Sequence, residues 1–144
     1  KAQAQKSGKN APIIVGVDAE GSILKEWFED GTMGVPHGYK VEGFGEDFIP
    51  SATDFSVIDE IRMVDDAICF RMARRLAKQE GLFCGGSCGG ALQIALDIAA
   101  EQDKTGKKAK IVVILPDAGN PYLGKVYNDD WLRDNGFDVD GWEW

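Results

Sequence analysis

Four glycines fall within six residues in Gly85-Gly-Ser-Cys-Gly-Gly90. The run follows a brief apolar segment at 82–84. It precedes Ala91, Ile94, Ala95, Ile98 and Ala99, the i, i+3, i+4, i+7, i+8 stripe of an amphipathic helix. A glycine-rich joint between a strand and a helix constrains the fold strongly. It sets a helix N-terminus, with unpaired N–H groups and positive dipole, where a ligand can approach bare backbone. Ser87 lies at that helix start, with its hydroxyl free to face whatever binds there. A tight turn with a capping serine is the purely structural alternative.

Three chemical readings compete for the loop. A dinucleotide fingerprint needs G-x-G-x-x-G, which the glycines at 85, 86, 89 and 90 do not supply. Gly85-Gly-Ser87-Cys-Gly89 matches the G-x-S-x-G nucleophile elbow in its strand–turn–helix setting. The base of such a hydrolase should follow the serine, yet the single histidine, His37, precedes it. The third reading is a cofactor ring whose polar atom is held by the Ser87 hydroxyl. Cys84 and Cys88 flank the serine at C-x3-C spacing. A zinc site needs further soft ligands, so two small buried side chains are the simpler account and no metal is expected.

The rest of the chain reads as alternating strand and helix. Residues 13–17 and 111–115 are short apolar runs suited to strands buried on both faces. Residues 57–64 read as a strand with Ile61 and Met63 on its apolar face. Asp65 is a helix N-cap before Ile68, Met72 and Leu76, so a helix is expected over about 66–79. Such alternation implies an α/β fold with parallel strands, whose ligands bind at the carboxyl ends of the strands. Three loops lie there: those after Val17, at 85–90, and after Leu115. Residues 20–52 carry repeated glycines and prolines and no clear periodicity. A loop this long in a compact domain is usually functional. Within it, Gly43 and Gly45 bring backbone close to something. Glu46 and Asp47 follow, serving either acid–base chemistry or a solvated loop. The tail beyond Asn128 is acidic, with Trp131, Trp142 and Trp144 as aromatic anchors.

The 144 residues suit about one domain. With 16 Lys+Arg against 24 Asp+Glu, the formal charge is −8. That balance argues against a nucleic-acid partner and against an anionic membrane surface. Three cysteines without disulfide spacing point to a reducing, cytoplasmic setting. Residues 1–9 resemble the last turns of a helix stopped by Ser7-Gly8. The expectation is therefore a later part of a longer protein.

Four segments in register extend the reading: Gly16-Val-Asp-Ala-Glu-Gly-Ser22, Val41-Glu-Gly-Phe-Gly-Glu-Asp-Phe-Ile-Pro50, Gln79-Glu-Gly-Leu-Phe-Cys-Gly-Gly-Ser87 and Ile114-Leu-Pro-Asp117. Together they resemble the cysteine synthase/cystathionine β-synthase family of fold-type II pyridoxal-phosphate enzymes. The second and third lean towards its cystathionine β-synthase branch. The resemblance implies a three-layer αβα fold with a mostly parallel sheet and pyridoxal 5'-phosphate as cofactor. It implies small amino-acid substrates and a homodimer. It assigns Ser87 to the pyridine nitrogen of the cofactor, and Gly43, Gly45 and Glu46 to the cofactor and substrate side of the cleft. Many eukaryotic members carry tyrosine at the place of Glu46, which leaves thiol preference open. Asp117 takes a supporting place near the ring. The Schiff-base lysine, the asparagine over the ring and the phosphate-binding loop belong to family segments preceding this one, so no catalytic residue is expected in this chain. By the same resemblance, residues 1–144 are expected to be the C-terminal portion of the core, with no regulatory domain among them. The implied reaction is β-replacement in transsulfuration, L-serine and L-homocysteine giving L-cystathionine and water. The alternatives are cysteine synthase, acting on O-acetylserine and sulfide, and a non-catalytic binding module of the same fold.

Overall fold

A computed structural model of the chain describes residues 11–142. The helical reading of residues 1–9, and Trp144, lie outside them. The described elements run β1 (Val15–Ala19), α1 (Leu24–Asp30), β2 (Glu60–Val64), α2 (Asp66–Glu80), α3 (Gly86–Thr105) and α4 (Asp129–Asp134), with short 3-10 turns at Phe55–Val57 and Asn120–Tyr122. β1 and β2 pair in parallel, from Val15 opposite Glu60 to Ala19 opposite Val64. Helix α3 packs on α2 and also touches both strands.

Helix α2 forms for the reasons its sequence announces. The Asp65 carboxylate accepts from Ile68 N at 2.7 Å, and Gly81 ends the helix in the left-handed conformation. Its buried face is wider than the expected stripe: Cys69, Phe70 and Ala73 join Met72 and Leu76. Helix α3 differs from expectation in an instructive way. Gly85 is its N-cap, and residues 86–90 are its first turn rather than a loop before it. All five are buried. The glycines let two helices meet backbone to backbone: a Cβ on Gly89 would overlap the Cys69 carbonyl oxygen and lie 2.5 Å from Ala73 N. Close helix packing thus explains much of a glycine content that the sequence alone suggests is for a ligand.

Four expected strands change. The first begins at Val15 and runs through Asp18; the second is shorter, with a 3-10 turn ahead of it. Residues 82–84 supply only an antiparallel bridge, Cys84 to Ala118. Residues 111–115 form no strand among the described residues, and Val112 and Ile114 are 82% and 76% exposed. A doubly buried strand needs neighbours on its edges and layers on its faces. The described sheet holds two strands, neither of them beside this run. Helix α1 starts without a side-chain cap at its N-cap, Ile23. Instead the buried Asp18 carboxylate accepts from Lys25 N at 3.0 Å across the turn. The acidic tail is anchored as its tryptophans suggest. Trp131 and Phe137 meet the edge or face of Phe70 at 6.0 and 5.2 Å, Arg74 lies over Trp142, and Leu132 is fully buried.

Gly89→Ala is expected to cost about 1–3 kcal/mol by overpacking the α2–α3 contact. Gly124→Ala, where a Cβ meets nothing within 4 Å, should change stability little. Denaturant unfolding of both variants checks this.

Candidate functional site

The carboxyl ends of β1 and β2 and the start of α3 converge. Ser87 is the second residue of α3 and is 5% exposed. Its Oγ is buried with no hydrogen-bond partner among the described residues. It does not cap its helix. Opposite stands Gly43, where a Cβ would lie 3.4 Å from that Oγ.

Gly43 belongs to a strap, residues 41–46, held at both ends by side chains from elsewhere. At one end the Asp66 carboxylate accepts from Lys40 N at 2.6 Å and Val41 N at 2.8 Å. At the other, the Ser22 hydroxyl accepts from Glu46 N at 3.0 Å and donates to Glu46 O at 3.2 Å. Ile23 N adds a bond to Glu46 O. Between the anchors Gly43 and Gly45 take φ of 95° and 82°, a region that side-chain-bearing residues rarely adopt. Gly45 also has no room for a Cβ, which would sit 2.8 Å from the Tyr39 hydroxyl and 2.9 Å from the Ala19 Cβ. An ion pair from Lys125 to Glu42 ties the strap to the later chain. Val41 is buried and packs towards Gly86 and Phe70, closing one side of the Ser87 slot.

The chain is similar to known proteins over most of its length. The family described as "Pyridoxal-phosphate dependent enzyme" matches residues 2–117. The chain belongs to that family. Cystathionine beta-synthase of Dictyostelium discoideum is 47% identical over 125 residues, covering 87% of this chain and 24% of the relative. The Rattus norvegicus cystathionine beta-synthase is 44% identical over 124 residues, covering 86% and 21%. Among solved structures, cysteine synthase from Entamoeba histolytica superposes with a TM-score of 0.70 at 33% identity, over 88% of this chain and 35% of that one. The O-acetylserine dependent cystathionine beta-synthase from Helicobacter pylori gives 0.67 at 34%, over 88% and 39%. The chain spans about a quarter of the curated relatives it matches. Membership carries the three-layer α/β fold, of which β1 and β2 are a parallel part, and pyridoxal phosphate as the family's cofactor.

On the other flank of α3, Asp117 joins the site by its side chain. Its carboxylate accepts from the Tyr122 hydroxyl at 2.6 Å and from the Cys88 thiol at 3.3 Å, and it crowds the bare α-carbon of Gly85. The Asp117 bond, then burial, pushes the Tyr122 phenol up to about 12. Burial pushes the Cys84 thiol up to about 12 and raises that of Cys88. In both, burial favours the thiol over the thiolate. The Tyr127 hydroxyl donates to Cys84 O at 2.6 Å, and burial pushes that phenol up to about 12. Tyr39 is raised too, first by burial and then by the charges of Glu46, Asp18, Asp47 and Asp66.

Gly43 therefore faces Ser87, Gly45 packs instead against Tyr39 and Ala19, and Glu46 is half-buried and held by its main chain. His37 lies instead against Gly21, its main-chain N–H donating to the Gly21 carbonyl. Among the described residues no three His, Cys, Asp or Glu side chains are placed to hold a metal. The sequence marks no site role for Asp66, Ser22 or Tyr122. Asp66 looks like an ordinary first-turn charge, and nothing local says that its carboxylate reaches back 25 residues.

The raised phenols fix a sign. Folding pushes the Tyr122 and Tyr127 phenols up to about 12, from near 10 in an exposed chain. Their stabilisation is full below pH about 10 and is lost as pH rises towards 12. Tyr122→Phe should remove one component near pH 12 from the phenolate absorbance titration and make the alkaline loss of stability shallower.

Proposed function

We propose that the chain is the C-terminal portion of the catalytic core of a β-replacement enzyme, working with a segment that carries the Schiff-base lysine. The reaction is condensation of L-serine with L-homocysteine to L-cystathionine and water. The observation that carries this reading is the buried, unpartnered Ser87 hydroxyl. A buried polar group without a partner costs about 1–3 kcal/mol, so the slot calls for a ligand atom able to share one hydrogen bond. A pyridine nitrogen is such an atom.

When bound, pyridoxal phosphate supplies an electron sink for the α-carbon of the amino acid. Ser87 would hold the ring nitrogen through a neutral hydroxyl, which would leave that nitrogen largely unprotonated and so favour elimination over transamination. The strap supports the same chemistry: Gly43 lets the main chain come close without a side chain, and Val41 and Phe70 keep water from the Ser87 side. Asp117 steadies the start of α3 through Cys88 and Tyr122. Glu46 lines the substrate side of the cleft. A homodimer in the cytoplasm belongs to the same reading.

Cysteine synthase activity is the second reading. It is favoured by the likeness to the Entamoeba histolytica structure and by the carboxylate at Glu46. The full-length protein, assayed with serine plus homocysteine and with O-acetylserine plus sulfide, separates the two. Turnover only with the second pair would overturn the cystathionine assignment. The absence of a visible band from bound cofactor would point to a binding module. Ser87→Asp should shift that band and cut turnover about 100-fold or more, the scale of one misplaced electrostatic contact. Wild-type rates and spectrum in that variant would show that Ser87 does not touch the ring.

A further inference from the structure

We infer that Asp66 is a positioning residue for the Ser87 site: its carboxylate, clamped on the Lys40 and Val41 amides, holds the 41–46 strap so that Gly43 faces the Ser87 hydroxyl. The inference rests on the reading of Ser87 as the group that holds the cofactor ring.

Three observations converge. First, the Asp66 side chain is spent outside its own helix. The cap of α2 is supplied by Asp65, whose carboxylate takes the Ile68 N–H. Asp66 turns away and binds two successive main-chain amides at 2.6 and 2.8 Å. Two short bonds from N–H groups to one carboxylate are charge-assisted and directional, so they fix the orientation of the chain at Val41. Second, Val41 is the hinge between clamp and site. It is 3% exposed, and a Cβ on Gly86 would lie 3.2 Å from its Cγ2. Two residues on, Gly43 faces Ser87. Third, the strap needs an external hold. Gly43 and Gly45 both lie at positive φ, and the strap belongs to no helix or strand. Ser22 fixes only the far end, at Glu46. The Glu42–Lys125 pair is surface-exposed and contributes little. Asp66 is therefore the hold nearest Gly43 on the Val41 side. Because it also begins α2, whose face packs against Gly89 and Gly90, strap and serine share one rigid reference.

The test uses the full-length protein carrying Asp66→Ala and Asp66→Asn, the latter keeping the side chain's size, with Ser87→Ala as the companion variant. Amide hydrogen exchange of the cofactor-free protein should speed up about tenfold or more at residues 40–45, the order expected from losing charge-assisted bonds. The amides of α2 and α3 should keep their protection. On addition of pyridoxal phosphate, the absorption band of the Asp66 variants should move in the direction seen for Ser87→Ala. Unchanged exchange at 40–45, or faster exchange spread evenly over α2 and α3, would overturn the inference. So would local loosening with a wild-type band when Ser87→Ala does shift the band. If Ser87→Ala itself leaves the band unmoved, the ring assignment fails instead, and loosening confined to 40–45 still upholds the clamp.

Discussion

The close approach of α2 and α3 is the constraint on which the rest depends. At Gly89 no side chain intervenes between one helix and the backbone of the other. Dense packing of this kind transmits small displacements and tolerates added volume poorly. Because the contact falls in the first turn of α3, it fixes the helix where its N–H groups are free and where Ser87 resides. The same turn is crowded on its outer flank by Asp117 and Tyr122 and roofed by Val41 and Phe44. Ser87 thus owes its orientation to its neighbours' lack of side chains as much as to its own hydroxyl.

The site shows a division of labour familiar from α/β proteins. Regular elements supply the rigid floor, and irregular backbone laid across the strand ends supplies the ligand-facing surface. Here the irregular piece is held by long-range hydrogen bonds from Asp66 and Ser22 rather than by a ladder. Arg62 on β2 adds a forked contact to Glu101 at 2.8 and 2.9 Å, fastening the later half of α3 to the sheet. Both ends of the helix are therefore tied, one by packing and one by charge.

Much of this was legible in the sequence, and the failures have physical reasons. Helix α2 was readable because its cap, stripe and glycine stop are all local. Ser87 and Gly43 stand out in separate glycine-rich segments, and only the fold sets one against the other. The glycines at 86, 89 and 90 serve helix packing, which only the position of α2 reveals. Residues 111–115 misled because apolar content states what a segment prefers to bury, not whether a neighbour is there to cover it. Helix α1 was missed since its starting bond comes from Asp18, inside a strand. Asp66 carries the same lesson: a carboxylate's type is printed in the sequence, whereas the amides it reaches depend on the fold.

Phe70 carries a last consequence. It is buried, touches Trp131 and Phe137 with its ring, and would lie 3.1 Å from a Cβ on Gly86. One benzene ring thereby connects the aromatic tail to the helix turn that bears the serine. Residues in direct contact do not vary independently in their energetic effects. The energetic effect of a change at 131 or 137 is therefore coupled through this ring to the turn at Gly86, one residue before Ser87.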